Sequence, residues 1–271
     1  MHRVIDLDDP ADPRLDPFRG LRDAPDRPAA EGRFIAEGEI VLRQLAASSF
    51  PIESIIATPG KLAAIPDVLA AHPDATVFRA TKTVIDTIVG FAFHRGVLAV
   101  GRRLPENDLA LHLDQARMLV VLDEVSNVDN LGGLFRSVSA LAPDGAAVLL
   151  SPGCADPLYR KALRASMGHV LNIPFARATT QTWPAVPAML KRHGFRLIAL
   201  AAGEGSVQMG PHGLRDLAGI KPALLVGAEG PGLSPDLLAA ADARLRIPMR
   251  PGVDSLNLVV AASIALHRLR G

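Results

Sequence analysis

The chain has 271 residues, 49% apolar and 21% charged, which suits one large or two ordinary globular domains and excludes a disordered chain; no apolar run reaches the roughly 18 residues of a membrane span. The single cysteine, Cys154, excludes an internal disulfide and a cysteine-built metal site, and the acidic N-terminus lacks the apolar core of a secretory signal, so the expected location is the cytoplasm. With a net charge of +1 and 4% aromatics, contact with nucleic acid has to come from local basic patches, not from a basic whole or a base-stacking surface.

Residues 1–33 mix arginines (Arg3, Arg14, Arg19, Arg22, Arg27, Arg33) with aspartates and prolines. They read as an irregular or weakly helical lead-in, either a set of phosphate contacts or a solvated mixed-charge segment. Residues 34–103 read as a small α/β domain. Helical spacing over Glu37–Leu45 is followed by a strand at Ile52–Ala57, a helix at Leu62–Ala71 and a short strand at Ala75–Phe78. A helix at Thr81–Val89 and a strand at Gly96–Val100 close it. Gly101-Arg-Arg-Leu-Pro-Glu-Asn-Asp then breaks the pattern and opens a linker over 104–116.

Residues 117–271 alternate strand and helix. Met118–Leu122 is a continuous apolar run, as a strand buried on both faces requires. A helix over Leu131–Leu141, a strand at Ala146–Leu150, a helix near Leu158–Ser166 and a strand near Val170–Ile173 follow. Next come a helix near Trp183–Arg192 and strands at Arg196–Leu200, Ala223–Val226 and Leu245–Ile247. A helix at Pro235–Ala241 precedes the last of these strands, and a closing helix spans Ser255–Leu269. Such alternation predicts a parallel sheet covered on both faces, whose ligands bind beyond the carboxyl ends of the strands.

Three loops at such ends carry polar residues. After Leu122, Asn130, Gly132 and Arg136 are spaced N-x-G-x-x-x-R. On a helix Gly132 and Arg136 share a face one turn apart, leaving room beneath a cation for a phosphate or ribose. The alternative is that Asn130 caps the helix and Arg136 is a surface cation. After Val226, Gly227-Ala-Glu-Gly-Pro-Gly has three glycines in six residues, which lets backbone approach a ligand around Glu229. Its spacing is wrong for a dinucleotide fingerprint, which argues against a nicotinamide-dependent dehydrogenase. After Ile247, the cluster Asp254-Ser255-Leu256-Asn257 opens the last helix. Ser255 or Asp254 as a simple N-cap explains one of its polar residues but not Asn257 as well.

In this order the three loops resemble the motifs of the SpoU–TrmH branch of the SPOUT methyltransferases: Asn130-Leu-Gly-Gly-Leu-Phe-Arg136, Leu225-Val-Gly-Ala-Glu-Gly-Pro-Gly-Leu233, and Ile247-Pro-Met followed by Asp254-Ser-Leu-Asn257. Arg164-Ala-Ser-Met-Gly168 fits as well, and Val128 stands where many members carry proline. The N-terminal half is similar in outline to the family's RNA-binding domain, through Phe34-Ile-Ala-Glu-Gly38 and His94-Arg-Gly-Val-Leu-Ala-Val100.

The resemblance implies a parallel-sheet domain with a deep trefoil knot, preceded by a smaller α/β RNA-binding domain. It implies S-adenosyl-L-methionine as cofactor, held by Ala201, Gly227, Ile247 and Leu256. It further implies transfer of its methyl group to a ribose 2′-hydroxyl of RNA, ribosomal or transfer RNA, with the two-domain layout slightly favouring ribosomal RNA. Arg136, Asn130, Glu229, Ser255 and Asn257 are the expected catalytic residues. Arg136 is expected to grip phosphate or stabilise negative charge rather than act as a literal base, because a guanidinium keeps its proton up to a pH above about 12. Arg102, Arg103, Arg160, Lys161 and Arg164 are the expected phosphate contacts, and a homodimer is the expected assembly. A non-catalytic RNA-binding protein of the same fold is the alternative.

Overall fold

The computed structural model describes residues 4–22, 27–105, 113–201, 206–208, 220–253 and 255–269. The chain divides into two compact units: Met1–Pro105 with Pro157–Asn172, and Glu106–Asp156 with Ile173–Gly271. Residues 157–172 therefore pack with the first unit, although they lie inside the stretch read from sequence as one methyltransferase domain. Of the expected linker, 106–112 lie outside the described residues, while Leu113 and Ala116 are core residues of the second unit.

The first unit is built on a mixed sheet of five strands: β1 (Val4–Leu7), β2 (Arg33–Glu37), β3 (Ile52–Ala57), β4 (Thr76–Ala80) and β5 (Val97–Arg102). Their spatial order is β1-β4-β3-β5-β2. β1, β4 and β3 run parallel, and β5 runs antiparallel to β3 and β2. The lead-in is thus not irregular: it supplies edge strand β1 and a 3₁₀ helix, Pro13–Phe18. With about three residues per turn, Leu15 and Phe18 fall on one face of that helix, and both are fully buried. Four strand residues among charges are too few for alternation to register. The stretch Leu62–Ala71 is two short helices, Pro59–Ala63 and Pro66–Ala71. Pro66 has no N–H to continue the first and suits the opening turn of the second.

The second unit is a seven-stranded sheet: β6 (Met118–Asp123), β7 (Ala146–Leu150), β8 (Phe175–Arg177), β9 (Phe195–Leu200), β10 (Val207–Gln208), β11 (Lys221–Gly227) and β12 (Ala243–Arg246). The order is β10-β12-β9-β11-β6-β7-β8, with every neighbouring pair parallel. All six residues of β6 are buried, as a strand covered on both faces demands. Each Val or Leu of that strand contributes about 1.5–3 kcal/mol by leaving water. Leu119, Val121, Leu197 and Leu225 share one core cluster with Val186 and Leu190 of helix Val186–Arg192.

Helix Val128–Leu141 packs closely on helix Leu258–Leu269: a Cβ on Gly133 would lie 2.9 Å from Val259 Cγ2. Ser263 Oγ donates to Ser137 Oγ across the same contact at 2.8 Å.

Two elements differ from the sequence reading. Val170–Ile173 is not a strand; His169–Asn172 forms a 3₁₀ turn, and the strand is β8, further on. Met167 (φ 53°) and Gly168 (φ 83°) turn the chain just before it, and a four-residue apolar run suits a helical turn as well as a strand. The last helix begins at Leu258, so Ser255, Leu256 and Asn257 precede it as extended chain.

From β6 the chain steps to one side of the sheet, through β7 and β8. It then crosses to the other side for β9 to β12. The reversal falls between β6 and β11, where a parallel sheet leaves a crevice at the carboxyl ends of its strands.

Candidate active site at the carboxyl ends of the parallel strands

A cavity of about 530 Å³ opens at that end of the second unit. Leu200 and Ala201 at the end of β9, Val226–Leu233 at the end of β11 and beyond, Leu245–Ile247 and Met249 at the end of β12 and beyond, and Ser255–Leu258 up to the start of the last helix line it. All four expected cofactor residues, Ala201, Gly227, Ile247 and Leu256, are among them, as are Glu229, Ser255 and Asn257. Its walls are apolar side chains broken by exposed main chain and a few polar groups, the usual composition of a small-molecule pocket.

The loop after β11 folds back on itself. Gly232 N–H donates to Ala228 C=O at 3.0 Å, with Gly230 and Gly232 in the left-handed region (φ 90° and 74°). This hairpin lies against Gly227: a Cβ there would come within 2.2 Å of the Gly232 carbonyl carbon and 2.3 Å of Leu233 N. Those contacts are backbone and cannot swing aside, so only glycine fits at 227. The loop is also anchored from beneath. Ser234 N–H donates to the buried Asp123 carboxylate at 2.7 Å, joining the ends of β11 and β6. Asp123 was not singled out from sequence; its sign was a carboxylate closing an otherwise continuous apolar strand.

Asn257 is the hub of the polar groups. Its Oδ1 accepts from Val259 N and Val260 N at 3.0 and 3.4 Å, capping the last helix. Its Nδ2 donates to Asn130 Oδ1 at 3.2 Å and to Glu229 Oε1 at 3.0 Å. Neither Ser255 nor Asp254 is seen in the capping role raised from sequence: Ser255 has no described hydrogen bond, and Asp254 lies outside the described residues.

Asn130 is not a cap either. Asn127 caps helix Val128–Leu141 by accepting from Asp129 N and Asn130 N, which frees the buried Asn130 side chain for Asn257. The three motifs therefore meet in one chain of side chains, Asn130 to Asn257 to Glu229. Arg136 lies outside it: exposed on its helix, not among the residues that line the cavity, and without an ion pair or hydrogen bond among the described residues.

The loop after β7 is held from three sides. Arg177 donates to the carbonyls of Ser151, Pro152, Cys154 and Ala155, at 2.7–3.2 Å. Glu124, in the left-handed region at φ 58°, accepts from Ser151 Oγ and Gly153 N. Ala155 N–H donates to Val125 C=O. The stretch leading into the Asn130 helix is thereby tied to the neighbouring loop. Cys154 Sγ donates to Leu122 C=O, and burial pushes its thiol pKa up.

The expected phosphate contacts fare unequally, and all five lie in the first unit. Arg102 pairs with Glu53 at 3.4 Å, and Arg103 donates to Arg33 C=O. Arg160, with its side chain only 13% exposed, pairs with Glu37 at 2.6 Å, so it serves inside the protein first. Arg164 reaches the same carboxylate at 3.3 Å, while Lys161 is exposed with no described partner. Of the lead-in arginines, Arg14, Arg19 and Arg33 are held by Asp12, Asp16 and Glu53, and Arg3 lies outside the described residues.

A solved rRNA methyltransferase from Sinorhizobium meliloti, with AdoMet bound, matches this fold with a TM-score of 0.80 and 26% identity over 98% of this chain and 97% of its own. Fold and site thus define an α/β protein of the RNA methyltransferase class. The family model described as the SpoU rRNA methylase family matches residues 117–267, and the chain belongs to that family. An uncharacterized tRNA/rRNA methyltransferase of Mycobacterium bovis is 43% identical over 97% of this chain and 91% of its own. A Bacillus subtilis 23S rRNA (guanosine(2553)-2′-O)-methyltransferase is 33% identical over 62% of each.

Proposed function

We propose that the protein transfers a methyl group from S-adenosylmethionine to a ribose 2′-hydroxyl of RNA, with ribosomal RNA favoured. The observation that carries the reading is the convergence of Asn130, Asn257 and Glu229 beside a cavity lined by Ala201, Gly227, Ile247 and Leu256. The cavity suits the cofactor. Gly227 is bare where a side chain would collide with the loop, the walls are apolar with accessible main chain, and Glu229 lines the cavity with a carboxylate that would suit a cationic ligand. When bound, S-adenosylmethionine supplies an electrophilic methyl group.

The protein's own part is alignment and charge. Holding two reactants in line lowers a barrier by about 7–11 kcal/mol in favourable cases. Asn257 orients Glu229 and Asn130, and Ser255 adds a hydroxyl to the same wall. Arg136, kept protonated by its guanidinium chemistry, grips the adjoining phosphate and stabilises negative charge growing on the attacking oxygen. Glu229, a phosphate oxygen or water takes the proton.

Two further elements belong to this reading. The segment after β12 threads a loop to make the trefoil knot; its return from β12, past β9 and β11, to both Asn130 and Glu229 supports that path. Two copies pair so that Arg136 of one serves the cavity of the other. Its absence from the residues that line its own cavity and the exposed Val253, Leu256 and Val260 support the pairing. The 23S rRNA relative favours ribosomal RNA.

Titration calorimetry with S-adenosylmethionine tests the cofactor, and mass mapping of 2′-O-methyl sites in RNA from cells with and without the protein tests the reaction. Cofactor heat together with a site that disappears on deletion supports the reading. RNA binding without cofactor heat would favour a non-catalytic RNA-binding protein.

A further inference from the structure

Three stretches singled out in the sequence, Phe34–Gly38, His94–Val100 and Arg164–Gly168, converge on one carboxylate in the first unit. Glu37 ends β2 and is 4% exposed. Its Oε2 meets Arg160 Nη1 at 2.6 Å, its Oε1 meets Arg95 Nε at 3.2 Å, and Arg164 Nη1 reaches both oxygens at 3.3 Å. Three guanidinium groups against one carboxylate leave two positive charges in excess. Nothing else described offsets them: neither Arg95 nor Arg164 makes another hydrogen bond or ion pair among the described residues.

The three arginines are not equivalent. Arg160 is 13% exposed and stacks 5.0 Å above the Phe91 ring, so it is spent internally. Arg95 and Arg164 are 50% and 36% exposed. Arg95 meets Glu37 only through its Nε, as an ion pair, and Arg164 donates only one Nη. The remaining N–H groups of each planar fork have no described acceptor, and a fork fixed at one edge presents the other in a set direction. Gly38, at φ 92°, makes room for this: a Cβ there would sit 3.0 Å from Arg95 Cδ.

We infer that Arg95 and Arg164, held in place by Glu37, form a preorganised site for phosphates of the RNA backbone, with exposed Lys161 beside them on the short helix Arg160–Ala165. Glu37 is its positioning residue. The inference rests on RNA being the substrate and adds Arg95 and Glu37, which sequence reading did not assign to RNA. The site fixes the RNA's position without reading its bases.

The test is binding of a mixed-sequence RNA hairpin by the full-length protein over a range of potassium chloride concentrations. R95Q is expected to lower the slope of log affinity against log salt by about 0.7–0.9, and R95Q/R164Q by about twice that. E37Q raises the net charge by one yet is expected to weaken binding, because both forks lose their anchor. A carboxylate that merely neutralised the arginines would give tighter binding on removal. Unchanged slopes in R95Q and R95Q/R164Q, or tighter binding by a folded E37Q, overturns the inference. If E37Q does not fold, the two arginine variants decide alone. A wild-type protein that binds S-adenosylmethionine but no RNA hairpin overturns the RNA reading itself, and this inference with it.

Discussion

Asn257 donates one amide N–H to Asn130 at 3.2 Å and another to Glu229 at 3.0 Å, while its carbonyl oxygen caps the helix behind it. An amide side chain can donate two N–H groups forward and still accept from the helix, which neither a carboxylate nor a single hydroxyl can do. Two substitutions separate these jobs. N257D keeps the capping oxygen, loses both donated bonds and sets a second negative charge beside Glu229. It is expected to reduce methyl transfer by at least about tenfold with little change in Tm. N257A loses the cap too and is expected to cost a further roughly 1 kcal/mol of stability, read by urea unfolding. Equal activity in N257D and wild type would remove Asn257 from the reaction.

Arg136 is exposed and makes no described contact, so its removal has no structural reason to harm the fold. R136A is expected to change stability by less than about 0.5 kcal/mol and leave calorimetric affinity for S-adenosylmethionine intact. It is expected to lose methyl transfer by at least about 100-fold, the scale for removing a charge-stabilising donor. Full turnover by R136A would sink its assignment.

Gly227 and Gly230 give a paired test of the loop after β11. At Gly227 a methyl group meets main chain at 2.2 Å; at Gly230 it meets nothing within 4 Å, although φ is 90°. G227A is expected to weaken cofactor binding by more than tenfold and to destabilise the fold by about 1–3 kcal/mol, as overpacking does. G230A carries backbone strain of about 1–3 kcal/mol but no collision, and is expected to retain most of the affinity. The comparison is read from dissociation constants and Tm together.

Acid stability of the first unit is expected to depend on Glu53. Its hydrogen bond from Arg33 holds the carboxyl below its ordinary value of 4.5. A depressed folded-state pKa stabilises above the unfolded value and is lost as pH falls through the folded one. Wild type should therefore lose more stability than E53Q between about pH 5 and pH 3. Denaturant midpoints at pH 7 and pH 3 check this; parallel losses in both proteins would assign the acid sensitivity to other carboxylates.

The parallel sheet of the second unit was legible because Met118–Leu122, Ala146–Leu150 and Ala223–Val226 are continuous apolar runs separated by helical spacing. The resemblance of the three loops pointed to Ala201, Gly227, Ile247 and Leu256 together, and all four line the cavity at the strand ends. What stayed hidden was side-chain direction. Asn127 and Asn130 are three residues apart and chemically identical, and only geometry shows which caps the helix and which is free. Arg160, Lys161 and Arg164 looked alike as cations, but Glu37, more than a hundred residues earlier, sets them apart. β1 escaped notice because four residues among charges carry too little periodicity. The strand read at Val170–Ile173 failed because backbone turns at Met167 and Gly168 leave no trace in hydropathy.

The clamp that Arg177 places on the loop after β7 has a consequence for how this surface can vary. All four of its acceptors are main-chain carbonyls, so the loop's path is fixed independently of most of its side chains. Pro152 and Ala155 are then open to replacement without moving the loop. At Gly153 a side chain would meet the Glu124 carboxylate at 1.9 Å, and moving it aside would take Glu124 from Ser151 Oγ and Gly153 N. The protein thus carries, beside the helix that bears Asn130, a clamped ledge with exchangeable facing. New contacts to a different RNA could be introduced there without redesigning the scaffold that aims Asn130.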